Sequence, residues 1–296
     1  MISVVTGATG YIGHNLTKRL LAKGETVIAI VRNASNVDKL TTLSGALSLC
    51  PEHEIDATLD FVRDAPFTVF HLAGQFSGNN YAYQTAVDDN LMPGVRLLDA
   101  LTERRPACFV NAGSYWQFSS DGAVQPNSEY AAAKQAFQEI LAFFAYQHRV
   151  PAPTTVLFDV YGPEDRRGKL IETLTTWDSE TIIDMTNGEQ LLDLIHIDDV
   201  VDALLAAAQI KEPGHCQYFA GSNQRRSLRS VVTMIEELRG ITLPIRWGAR
   251  PYPDWQIFDP CPAAPPPFGW QAKITLKAGL SHIIEGQVEQ HQGLLT

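Results

Sequence analysis

Residues 2–6 (Ile-Ser-Val-Val-Thr) form a short apolar run that predicts a buried strand. Residues 26–31 (Thr-Val-Ile-Ala-Ile-Val) are almost entirely apolar, as in strands covered on both faces of a parallel sheet. Between them Ile12, Leu16 and Leu20 recur every four positions, which predicts a helix over residues 11–23 stopped at Gly24. Residues 67–72 and 108–111 read as clear strands, 154–158 as another and 46–49 as a weaker one. Leu91, Val95, Leu98 and Leu101 fall in phase on a helix over 89–103. Ala133, Phe137, Ile140, Leu141 and Phe144 make the apolar stripe of a longer helix over 128–148. Strands alternating with helices predict the α/β class, with a doubly wound parallel sheet. After about residue 160 the rhythm loosens to helices near 169–177 and 198–209 and a strand near 181–184. The C-terminal stretch, rich in Pro, Trp and Gly, reads as part of a small irregular lobe over a cleft, with the prolines of 260–267 as a rigid loop and a recognition motif as the alternative.

The link between the first strand and the first helix is Thr6-Gly7-Ala8-Thr9-Gly10-Tyr11-Ile12-Gly13. Glycines permit a tight turn and let an anion approach backbone N–H groups at a helix N-terminus. Placed directly after a first strand, G-x-x-G-x-x-G predicts a dinucleotide pyrophosphate site; an ordinary tight turn is the alternative. The end of the second strand selects between dinucleotides: a carboxylate there binds the adenosine ribose hydroxyls of NAD, an arginine the 2′-phosphate of NADP. Here the strand ends in Arg32 and Asn33, which predicts NADP(H); the alternative is that Arg32 is a solvated surface charge.

Tyr130-Ala-Ala-Ala-Lys134 places a phenol and an ammonium four residues apart on one helix face. A free tyrosine titrates near pH 10, and a neighbouring positive charge favours its phenolate, tuning it for proton exchange with an alcohol oxygen. Ser114 ends the preceding strand segment, where its hydroxyl can polarise a carbonyl. Together with the glycine turn, Ser114, Tyr130 and Lys134 read as a hydride-transfer constellation.

Charge and composition narrow the partners. The 296 residues carry a formal net charge of −10, which argues against general nucleic-acid binding. No apolar run reaches the ~18 residues of a membrane helix, and residues 1–6 lack a basic leader, so a soluble cytoplasmic protein is expected. Cys50, Cys108, Cys216 and Cys261 are scattered without a C-x-x-C pair, so neither a disulfide framework nor a metal site is expected.

These motifs, with His71-Leu-Ala-Gly74, Val160-Tyr-Gly-Pro163 and His196-Ile-Asp-Asp-Val200, occur in an order that resembles the extended short-chain dehydrogenases/reductases of the NAD-dependent epimerase/dehydratase group. Gly113-Ser-Tyr-Trp-Gln117, Leu157-Phe-Asp-Val-Tyr-Gly-Pro163 and Gly269-Trp270 are similar to the branch of CDP-abequose/CDP-paratose synthases. The resemblance implies a Rossmann domain over 1–158 and 188–213, and a nucleotide-sugar-binding lobe over 159–187 and 214–296. It implies a Ser114-Tyr130-Lys134 catalytic set and NADPH-dependent reduction of a 4-keto-deoxyhexose linked to a nucleoside diphosphate. It also implies a homodimer through the helix bearing Tyr130 and its neighbour. The cofactor-binding residues so assigned are Gly7, Thr9, Gly10, Tyr11, Ile12, Gly13, Arg32, Asn33, Leu72, Ala73, Gly74 and Asn90, with Tyr130 and Lys134. Gln75, Tyr115, Trp116 and Asp159 are assigned to the sugar, with a buried aromatic as the alternative for Trp116 and a structural hydrogen bond as that for Asp159; Lys169, Arg246 and Arg250 to the substrate diphosphate, because guanidinium forks match phosphate oxygens. Each of the last three has a solvated surface role as its alternative.

The departures from the resemblance are informative. Dehydratases of the group carry Asp-Glu after the catalytic Ser or Thr, whereas Tyr115-Trp116 stand here, so water elimination is not expected. The Asp that most relatives place after the third strand is replaced by Cys50-Pro51, with Glu52 and Glu54 nearby. Two other functions fit the same residues: a 4-epimerase that retains NAD, and a non-catalytic NADP-binding module. His71 and His196 read as satisfied core histidines, and Asp198-Asp199 as a helix cap rather than a metal site.

Overall fold

A computed structural model describes residues 1–32, 35–62, 65–76, 82–177, 180–254, 256–261 and 269–293. Six strands, β1 (Ile2–Thr6), β2 (Thr26–Val31), β3 (Leu47–Pro51), β4 (Phe67–His71), β5 (Cys108–Ser114) and β6 (Pro151–Leu157), join a seventh, Gly214–Ala220, in one parallel sheet. From one edge the order is Gly214–Ala220, β6, β5, β4, β1, β2, β3. The chain therefore winds outward from β1 through β2 to β3, then crosses back to β4 on the other side. That reversal opens a crevice at the carboxyl ends of β1 and β4, where ligands of such sheets bind.

β4 and β6 are buried along their whole length, which explains their unbroken apolar or Thr-rich runs. One face of the sheet is covered by the first helix, Tyr11–Ala22, and by Ile197–Ala207, through Leu16, Leu20, Val200 and Leu204. The other face is covered by Ile55–Phe61, Met92–Ala100 and Glu129–His148, through Leu59, Leu97, Phe137 and Leu141. A separate core joins Leu174, Leu194, Val231, Ile235 and Leu280 in the C-terminal lobe.

Several sequence expectations change. The single helix over 89–103 is two helices, Tyr83–Asn90 and Met92–Ala100, because Pro93 lies in the first turn of the second. Gly214–Ala220, assigned to the lobe, completes the main sheet beside β6. The C-terminal lobe is less irregular than expected: it contains the helices Leu228–Arg239 and Leu276–Gly293. The prolines at 262, 265, 266 and 267 lie outside the described residues.

Neither Asp198 nor Asp199 is the N-cap of its helix. His196 caps Ile197–Ala207, its Nδ1 accepting from the Asp198 N–H at 3.2 Å. Asp199 instead accepts from the backbone N–H groups of Lys273 and Ile274, each at 3.0 Å, tying the C-terminal segment to the main domain. Asp198 and Asp202 pair with Arg19 of the first helix at 3.0 and 2.9 Å.

Candidate active site

β1 and β4 end side by side, and glycine is what allows it. Gly7 has φ +69°, and a Cβ there would stand 2.7 Å from the Leu72 carbonyl carbon and 2.8 Å from the Ala73 nitrogen. A Cβ on Gly13 would overlap the Gly7 carbonyl, so Gly13 lets the first helix seat against the turn. Gly10 caps that helix with no side-chain hydrogen bond, which leaves its first-turn N–H groups for an anion. The result is a cavity of about 270 Å³ lined by Gly7, Thr9 and Gly10 on one wall, Leu72, Ala73 and Gly74 on the other, and Arg32 and Ser35 at its end. A backbone cradle with donors at a helix start fits a dinucleotide pyrophosphate.

Thr6 locks the two strand ends. Its Oγ1 accepts from the N–H groups of Leu72 and Ala73, both at 3.2 Å, and so donates to His71 Nδ1 at 2.9 Å. His71 then carries its proton on Nε2. Burial, reinforced by the Lys134 charge, pushes its pKa down to about 3, and the imidazole stays neutral. Asn90, beside Gln75, performs a similar task. It accepts from the Gln75 N–H at 2.7 Å and donates to the Gln75 carbonyl at 3.0 Å, fixing the loop after β4.

A second cavity, of about 620 Å³, continues from the first and brings Ser114, Tyr130 and Lys134 together. Ser128 starts the helix that carries the last two, its Oγ accepting from the Ala131 N–H at 3.3 Å. Lys134 is 3 % exposed. Its Nζ donates to the carbonyls of Ala73 at 2.8 Å and Ala112 at 3.3 Å. Burial brings its pKa down to about 8. Gly74 leaves room for this ammonium, since a Cβ there would stand 2.8 Å from Nζ.

Ser114 Oγ accepts from the Trp116 N–H at 3.3 Å, and the Ser114 N–H donates to Gln117 Oε1 at 2.8 Å. The buried Gln117 amide donates in turn to Gln135 at 2.7 Å and Gln138 at 3.2 Å on the helix bearing Tyr130. A buried amide chain thus joins the strand end that holds Ser114 to the helix that holds Tyr130 and Lys134.

Around Tyr130 the wall is aromatic. Phe76 and Trp116 meet its ring edge-on at centroid distances of 5.9 and 6.3 Å, and meet each other at 4.9 Å. Tyr115 stacks on Phe158 at 5.1 Å and donates its hydroxyl to Asp159 Oδ2 at 3.0 Å. Burial raises the Asp159 carboxyl to about 6; the bond from Tyr115 and the charge of Lys169 act in the opposite direction.

Most residues singled out in the sequence converge here. Ile12, Gln75, Tyr115, Trp116, Asp159 and Lys169 all line the larger cavity. Tyr11 does not: its hydroxyl donates to the Pro163 carbonyl at 3.0 Å, and its ring lies under the Arg167 guanidinium, 4.6 Å away. Arg246 and Arg250 are exposed and outside both linings, and Arg246 makes a two-point pair with Asp184, each contact 2.8 Å. Asn33 lies outside the described residues. Arg167, which the sequence reading missed, lines the larger cavity and is held by Asp165 at 2.7 Å through two nitrogens. Its only sequence signal is the charged run Glu164-Asp-Arg-Arg-Gly-Lys169.

A sheet with its crevice at the β1/β4 reversal, a glycine cradle, and Ser, Tyr and Lys meeting in the adjoining cavity define a dinucleotide-dependent enzyme of the Rossmann class. Residues 3–219 match the NAD dependent epimerase/dehydratase family, and the chain belongs to it. It is thereby a member of a family of nucleotide-sugar-modifying enzymes. The chain is 30 % identical over 206 residues to a CDP-abequose synthase of Yersinia pseudotuberculosis, covering 68 % of this chain and 71 % of that one. It is 26 % identical to a UDP-glucose 4-epimerase of Mycolicibacterium smegmatis, covering 96 % and 98 %. A UDP-glucose 4-epimerase from Thermotoga maritima, solved with UDP-glucose, superposes with a TM-score of 0.82 at 19 % identity, over 98 % of this chain and 100 % of that one, which shows the shared fold.

Proposed function

We propose that the protein reduces the 4-keto group of a nucleoside-diphosphate-linked 4-keto-deoxyhexose, CDP- or dTDP-linked, with NADPH as reductant. The observation that carries this reading is the convergence of Ser114, Tyr130 and Lys134 behind an aromatic wall, with no carboxylate directly after Ser114. A bound nicotinamide supplies the hydride. Ser114 donates a hydrogen bond to the carbonyl oxygen and Tyr130 passes its phenolic proton to that oxygen as charge develops there. Lys134 holds positive charge one helical turn from Tyr130 and, with two of its protons given to the Ala73 and Ala112 carbonyls, would have its third for the ribose of a bound nicotinamide cofactor.

The ring faces of Phe76 and Trp116 accept hydrogen bonds only weakly, and Lys169 Nζ stands over the Phe76 ring, 5.5 Å from its centroid. A sugar hydroxyl pressed against the Trp116 side of this wall exchanges water for a weak partner, at a cost of up to roughly 1–3 kcal/mol, so a carbon lacking a hydroxyl fits there better. Besides Lys134, the cations lining the cavity are Lys169 and Arg167, the latter already paired with Asp165, so Lys169 is the first candidate for a diphosphate; Arg246 and Arg250 lie outside the cavity. The resemblance to CDP-abequose synthase supports the nucleotide and the reaction.

The test is NADPH oxidation by the purified protein, with CDP- and dTDP-linked 4-keto-6-deoxyhexoses offered with and without a 3-hydroxyl. Stoichiometric NADPH consumption, fastest with a 3-deoxy substrate, is expected. The second reading, a 4-epimerase, is favoured by the similarity to the mycobacterial enzyme over nearly the whole chain. It predicts the opposite result: tightly held NAD, no net NADPH consumption and an isomerised sugar.

The assembly belongs to the same proposal. On the helix Glu129–His148, Ile140, Phe143 and Tyr146 recur every three residues and are 40 %, 68 % and 79 % exposed; Tyr83 on the neighbouring helix is 78 % exposed. Such an apolar stripe matches a second copy of the same face. Light scattering is expected to give the dimer mass, and Phe143→Glu with Tyr146→Glu the monomer mass.

A further inference from the structure

The end of β2 carries no carboxylate, yet one reaches Arg32 from another element. Asp89, in the last turn of Tyr83–Asn90, places Oδ1 3.3 Å from Arg32 Nη1, and both residues line the smaller cavity. The contact is a single long one, unlike the two-point pairs of Arg167 with Asp165 at 2.7 Å or Arg246 with Asp184 at 2.8 Å. The Arg32 side chain is 58 % exposed and that of Asp89 20 %. The backbone that carries Asp89 is held in place. The next residue, Asn90, is buried and bonded to the Gln75 backbone at 2.7 and 3.0 Å and to the Ala86 carbonyl at 3.1 Å. The second carboxylate of this cavity, Glu52, is engaged by Arg96 at 2.8 Å.

We propose that Asp89 is the cofactor-selecting residue of this chain. It competes with a 2′-phosphate for Arg32 and lowers the preference for NADPH, while offering an acceptor to the ribose hydroxyls of NADH. The inference rests on the reading of Arg32 as a phosphate-binding residue. A 2′-phosphate carries close to two negative charges at neutral pH. At Arg32 it would stand beside the Asp89 carboxylate, whose backbone is anchored through Asn90, and like charges at such short range oppose one another. NADH brings no charge to this spot and is indifferent to that repulsion.

Dissociation constants of NADPH and NADH, read by cofactor fluorescence for wild type, Asp89→Asn and Arg32→Ala, test this. Asp89→Asn is expected to tighten NADPH by about five- to tenfold at low salt, with a smaller gain at 0.5 M salt, and to leave NADH unchanged or weaker. A parallel change for both cofactors, or none, overturns the proposal. Arg32→Ala is expected to weaken NADPH selectively. If it does not, and wild type binds NADH more tightly, the reading of Arg32 fails, whereas a shifted ratio in Asp89→Asn still assigns selection to Asp89.

Discussion

Tyr130→Phe is expected to lower turnover by about 10²- to 10⁴-fold, the range for loss of a positioned proton donor, with little change in NADPH affinity. The substitution removes one oxygen and keeps the ring. The edge contacts to Phe76 and Trp116, at 5.9 and 6.3 Å, depend on the ring alone, so the cavity wall is retained. The cofactor cradle of Gly7, Gly10 and Gly13 lies on a different element. What disappears is the proton for the developing alkoxide. Water has to replace the phenol in a site walled by aromatic rings. Steady-state kinetics with the preferred keto sugar, paired with a fluorescence titration of NADPH, separate the two quantities. Near-normal turnover would remove Tyr130 as the proton donor; an equal fall in cofactor binding would make it a structural residue.

The residues that could be read from the sequence are those whose geometry is local. A strand, three glycines and a helix specify the cradle within residues 2–22, and four residues of helix bring Tyr130 and Lys134 to one face. Residues whose role depends on distant partners were not legible. Asp89 meets Arg32 across 57 positions, and Arg167 reaches Tyr11 only because the segment after the short strand Asp159–Tyr161 folds over the first helix. Gly214–Ala220 is not legible as a strand for another reason. It is an edge strand with His215 and Gln217 among its residues, so it lacks the continuous apolar run that marks the central strands. In Leu276–Gly293 the helical period is present in Leu276, Leu280 and Ile283, but the adjoining prolines and glycines mask it in the sequence.

Lys134→Met is expected to cost turnover by about 10²-fold or more while leaving thermal stability at pH 7 close to that of wild type, because two effects oppose each other. Lys134 is buried, and its pKa near 8 lies about 2.5 units below the 10.5 of an ordinary lysine. That difference corresponds to roughly 3 kcal/mol of destabilisation while the ammonium remains charged. A methionine removes it. The same change leaves the carbonyls of Ala73 and Ala112 without their donor, at roughly 1–3 kcal/mol each for buried groups. The distinguishing signature is the pH dependence. Between about pH 8 and 10.5 the unfolded chain binds the lysine proton and the folded chain does not, so stability rises with pH across that window. Below pH 8 both states hold the proton, and the contribution is constant. Denaturant melts of wild type and Lys134→Met from pH 7 to 10 are therefore expected to diverge above pH 8, the wild type gaining up to about 3 kcal/mol relative to the variant. Over the same range wild-type turnover is expected to fall as the ammonium that supports Tyr130 is lost, so the protein becomes more stable as it becomes less active. Parallel stability curves would mean that Lys134 titrates as an ordinary lysine, and its burial would then have no bearing on the chemistry of Tyr130.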